Sequence, residues 1–143
     1  MKIRKCLSAA ATIAVTGAGM ALMTPSPASA AGACVNPNAN PALTSTKRSA
    51  VLYGRLFELR YNSGSGCAWG RVSRGNPNDE VWVDWAETQD AAFGGRWQQL
   101  GKRRTPHGLR GTTTPGYFDG DANVMRTCGK AGDRVAIVCT NWY

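Results

Sequence analysis

Apolar and polar residues alternate along this chain in short runs. In 55–61, Phe57, Leu59 and Tyr61 fall on one side and Glu58 and Arg60 on the other. A period of two is that of a half-buried strand. Residues 62–66 (NSGSG) have turn composition and 67–72 read as a second strand, so the two make a hairpin whose loop exceeds the tightest types. After a turn at 75–79, residues 80–85 alternate again. Val81, Val83 and Trp85 share one face, Trp82 and Asp84 the other. Residues 96–100 suit a short strand, and 117–118, 124–125 and 135–138 read as late strands. Residues 31–46, with Pro37, Pro41 and several Asn, read as a loop-like entry, and 102–116 as a long surface loop. There is no internal repeat and no amphipathic helix of ten residues or more. This pattern predicts an all-β fold, a small antiparallel sandwich or barrel.

The first thirty residues are expected to stand outside that fold. Lys2, Arg4 and Lys5 precede an uncharged, Ala-rich run from Leu7 to Met23, and Ala28-Ser29-Ala30 is a small-residue cleavage site. Together they read as a cleaved secretory signal peptide, 1–30. The expected organisation is then an extended segment at 31–46 and an all-β extracellular domain at 47–143. Without the three leader cations the formal charge of +8 becomes +5, which favours anionic partners. No transmembrane span is expected in the mature chain.

Cys6 leaves with the leader, and Cys34, Cys67, Cys128 and Cys139 remain. An even number in a small exported chain implies two disulfides. Three pairings are possible, and Cys34–Cys67 with Cys128–Cys139 is favoured. The second pair flanks the turn-like 129–133, which would set the two cysteines opposite one another on a hairpin. Zinc is disfavoured, because there is no C-x-x-C and His107 is the one histidine. A core this small is marginal, and all 12 aromatic residues lie beyond the leader to fill it.

The residues offer several chemistries. A nuclease would use His107 and Glu87 as acid and base, beside Lys102, Arg103, Arg104 and Arg110. Ser65 sits in a hairpin turn and not in a nucleophile elbow. Asp119, Asp121 and Asn123 have a D-x-D-x-N spacing that could offer oxygens to calcium, though the EF-hand continuation fails at Val124 and Lys130. Trp82 shares a strand face with Asp84, and Trp97 and Trp142 also neighbour polar residues, as binding of a carbohydrate or cell wall would require.

The segment 57–72, FELRYNSGSGCAWGRV, resembles the YjfA-like family of small secreted bacterial domains of unknown function. Glu58-Leu59-Arg60-Tyr61, followed by Cys67, Ala68, Trp69 and Arg71, carries the resemblance over about sixteen residues. It implies an exported β-domain and brings no catalytic residues with it. Read physically, Arg60 and Arg71 would pair with Glu58 across the sheet or stack on aromatic rings.

The resulting expectation is a secreted monomer that needs no cofactor. It would bind an extracellular polymer, an anionic surface or a protein without catalysis, through Trp82, Asp84, Trp97, Arg103 and Arg104. A small secreted hydrolase built on His107 is the alternative, as is an enzyme inhibitor presenting the 102–116 loop.

Overall fold

The computed structural model describes residues 32–143; the expected signal peptide lies outside the described residues. Ten strands occur in it: β1 (Ala33–Cys34), β2 (Thr44–Leu52), β3 (Arg55–Asn62), β4 (Cys67–Ser73), β5 (Glu80–Ala86), β6 (Gln98–Arg104), β7 (Thr112–Thr113), β8 (Gly116–Phe118), β9 (Val124–Lys130) and β10 (Ile137–Cys139). One short helix, α1 (Gln89–Phe93), follows β5 and is capped by the Thr88 hydroxyl, which accepts from Ala91 N–H.

Two antiparallel sheets face each other and do not close into a barrel. The first has the order β1-β8-β4-β3-β2, with β7 also on β4; the second is β10-β9-β5-β6. Their inner faces follow the alternation of the sequence. Leu59, Ala68, Val83, Trp85 and Met125 form one buried cluster, and Phe57, Val72 and Val81 a second. Side-chain size is matched across the gap. The Phe57 ring lies so close to Gly129 that a Cβ there would sit 2.1 Å from it. A hydrogen bond crosses between the sheets, from the buried Thr127 hydroxyl to the carbonyl of Glu58.

The hairpin expected at 55–72 is present as β3 and β4. Its turn is held by Asn62, whose Oδ1 accepts from Gly64 N–H and Ser65 N–H while its Nδ2 donates to Asn40 O and Thr44 Oγ1. Both disulfides form as expected, Cys34–Cys67 and Cys128–Cys139. The second joins residues directly opposite in the β9–β10 register, with Cα atoms 4.0 Å apart. Two disulfides suit an oxidising, extracytoplasmic setting.

Three boundaries correct the sequence reading. Residues 44–52 form an edge strand on β3, although 44–46 read as the end of a loop-like entry and no strand was read at 47–52. Its side chains, among them Lys47 and Arg48, are exposed or half-buried, as suits an edge with no apolar stripe. Lys102, Arg103 and Arg104, placed in a surface loop, belong to β6. A bulge opposite Trp82, at the left-handed Gly101 (φ +58°), re-phases that strand. Gly129 and Lys130, read as turn, extend β9. Among the described residues no helix is long and apolar enough to cross a membrane.

Candidate binding site

The outer face of the four-stranded sheet carries most of the residues singled out in the sequence. β5 supplies Glu80, Trp82 and Asp84 in alternation, all buried. Glu80 is held by Lys102 Nζ at 2.9 Å, Arg104 Nη2 at 2.8 Å and, more loosely, Lys130 Nζ at 3.8 Å. Burial pushes the Glu80 carboxyl up, but the surrounding cations outweigh it and hold the group below its ordinary range.

Trp82 faces outward but is only 7% exposed, so the solvent-exposed aromatic expected there is absent. Its ring lies under Lys102 Nζ, 5.4 Å from the centroid, and its Nε1–H donates to Asp84 Oδ1 at 3.1 Å. The alternation did place Trp82 away from the core. It could not show that a lysine from the neighbouring strand would cover the ring. Asp84 Oδ2 accepts from both Nε and Nη2 of Arg126, at 2.9 and 2.8 Å. Burial raises its carboxyl above the usual range despite those partners. The sulfur of Cys128 lies 3.2 Å from the same oxygen; being disulfide-bonded, it has no proton to donate. For the same reason the cluster Asp84, Cys128 and Cys139 offers no thiolates to a metal.

Beyond Asp84 the face becomes aromatic. The Arg126 guanidinium lies 4.9 Å from the Trp97 centroid and 4.4 Å from that of Trp142, and the two rings meet edge to face at 6.2 Å. Trp97 is 43% exposed. It borders a cleft of about 310 Å³ whose other walls are Trp85, Glu87, Ala91, Arg96 and Gln98. Trp142 was singled out in the sequence beside Trp97, and Arg126, which joins the two, is the residue that sequence reasoning missed. The strand at 124–125 was drawn too short to bring position 126 opposite Asp84, the pairing observed.

Other expected groupings are dispersed. Glu87 follows the C-terminal end of β5, whereas His107 follows the end of β6 that pairs with Glu80. Those ends lie about 20 Å apart at the rise of a strand, so the acid–base pair of a nuclease is not assembled. Arg103 and Arg104 share a strand but not a face, because Arg103 pairs opposite the inward Val81 and Arg104 opposite Glu80. Asp119 and Asn123 do meet, but in closing their own turn: Asn123 Nδ2 donates to Asp119 Oδ1, and Asn123 Oδ1 accepts from Gly120 N–H. Asp121 is exposed beside them. These residues, with Tyr61, Gln89 and Tyr143, line a second cleft of about 380 Å³. Burial pushes the Asp119 carboxyl up to about 6, against the opposing effects of Asn123 and Lys47.

The motif 57–72 has a structural explanation. Glu58, 6% exposed, receives the Thr46 hydroxyl at 2.9 Å and Arg71 Nε at 2.7 Å, with Arg60 Nη1 at 3.7 Å. Arg71 makes the expected pairing across the sheet, from β4, whereas Arg60 stands on β3 with Glu58 and donates to the Thr46 hydroxyl on β2 at 2.6 Å. The chain matches no protein-family model, no curated protein and no solved structure.

Proposed function

We propose that this is an exported, non-catalytic binding domain that holds a saccharide polymer in the cleft beside Trp97. One observation carries the reading: a large, partly exposed indole is fixed by Arg126 and Trp142 at the rim of a cleft whose remaining polar walls are Glu87, Arg96 and Gln98. An indole face packs against the apolar face of a sugar ring, while a carboxylate, a guanidinium and an amide satisfy its hydroxyls. The Trp97 ring is fixed before any ligand arrives, so little conformational freedom is lost on binding. The separation of His107 from Glu87 supports binding over hydrolysis. Export is supported by the leader composition and the two disulfides. Membership of the YjfA-like family belongs to the same proposal and is carried by residues 57–72.

The test is retention of the disulfide-bonded protein on insoluble cell-wall polysaccharide, together with titration by soluble oligosaccharides followed through tryptophan fluorescence. Trp97→Ala should abolish retention and leave the melting curve near that of the parent. Retention by the variant equal to the parent's, or no retention of the parent on any glycan, would overturn the reading.

A further inference from the structure

A groove at the far end of the six-stranded sheet has a different chemistry from the Trp97 cleft and shares no residue with it. It encloses about 570 Å³ between the C-terminal end of β4 and the segment leading into β7. The two walls are clasped by Gly75 N–H donating to Arg110 O at 2.8 Å. Gly111 lets them close, since a Cβ there would stand 2.3 Å from Val72 O. Arg71, Arg74 and Arg110 all line the groove, and no residue lining it is acidic. Arg71 is already engaged by Glu58. Arg74 and Arg110 are exposed and, among the described residues, meet no carboxylate within ionic distance. Ser73 and Thr113, on the same sheet face as Arg71, also line the groove and bring a hydroxyl to each wall.

Arg74 also occupies the left-handed region, at φ +56°. A side chain with a Cβ is disfavoured there, and glycine would fit without strain. Arg74 thus holds its guanidinium at the groove at a backbone cost that glycine would not incur.

We propose that this groove binds the backbone of a phosphodiester polymer. Guanidinium forks match phosphate oxygens, and donors converging from two walls suit a tetrahedral oxyanion better than a planar carboxylate. The lining holds no aromatic residue on which a base could stack, so the polymer is held through its backbone charge.

Fluorescence anisotropy with labelled oligo(dT), an abasic deoxyribose-phosphate oligomer of equal length and poly-L-glutamate tests this on the disulfide-bonded protein. The first two should bind alike, and the polypeptide at least ten-fold more weakly. Arg110→Gln should weaken phosphodiester binding about ten-fold and lower the salt slope by roughly one. Arg74→Gly should weaken it similarly while the melting temperature stays level or rises, which separates a binding role from a structural one. Absent binding, base-dependent binding, equal binding of poly-L-glutamate, or an Arg74→Gly variant that loses stability but keeps its affinity would each overturn the proposal.

Discussion

Glu58 and Glu80 are buried to almost the same degree, 6% and 5% exposed, each on the outer face of an inner strand. Their surroundings differ. Glu58 is fixed by a threonine hydroxyl and the Nε of Arg71, with Arg60 adding charge from further away. Glu80 sits among three cations, two of them far into solvent: the Lys102 and Arg104 side chains are 49% and 61% exposed. The first carboxylate uses its partners to lock β2, β3 and β4 together. The second is over-supplied, so no single cation is essential and positive charge is left on the face. Each sheet also holds one disulfide, and these differ in reach, since Cys34–Cys67 spans 33 residues and Cys128–Cys139 spans 11 within a hairpin already paired. Equal burial or equal chemistry does not mean equal structural weight. What matters is how many alternatives the surroundings supply.

The largest effect expected is from Cys34→Ser with Cys67→Ser. Closing the longer loop is worth between about 3 and 4 kcal/mol on the chain-entropy account. Chemical denaturation should show a smaller loss for Cys128→Ser with Cys139→Ser, and the reverse order would break the comparison of the two bridges.

Next comes Arg71→Met. It leaves Glu58 buried with only the 3.7 Å contact to Arg60 as charge compensation. The expected cost is about 2 kcal/mol, reduced from the value for a fully buried pair because Arg71 is partly exposed. Lys102→Met should cost less than about 1 kcal/mol, because Arg104 and Lys130 remain on Glu80. Equal losses for these two variants would show that the two carboxylates are not held differently after all.

The smallest effects separate two carboxyls by pH. The Asp119 carboxyl is raised to about 6 in the folded chain, so between about 4 and 6 the folded state binds more protons than the unfolded one. Stability from this group is therefore greatest below about 4 and declines as pH rises to 6. Asp119→Asn should flatten that decline and gain about 1 kcal/mol at pH 7, after allowance for partial exposure. Glu80 has the opposite sign. Its lowered carboxyl contributes stability above the unfolded value near 4.5 that is lost as pH falls below it, and Glu80→Gln should remove that acid loss. Melting temperatures scanned from pH 3 to 8 check both.

Much of this was legible in the sequence because strand alternation is local. Residues 55–61 and 80–85 declared both strand and face, 67–72 declared a strand, and the composition around Cys128 and Cys139 located a hairpin. Trp97 was within reach for the same reason, as an aromatic among polar neighbours. The edge strand at 44–52 was harder to read because an edge needs no apolar stripe, and its pairing is set by backbone bonds to β3.

The sequence alone determined the β class, the inward residues of β3 and β5 and the favoured disulfide pairing. These follow from period, turn chemistry and parity, which neighbouring residues carry. Only the tertiary structure decided that Lys102 covers Trp82, that Arg126 joins Asp84 to Trp97 and Trp142, and that His107 and Glu87 stand at opposite ends of a hairpin. Those relations depend on which strands are neighbours and in what register. A bulge at Gly101 or a strand longer by a few residues changes them without altering the local pattern.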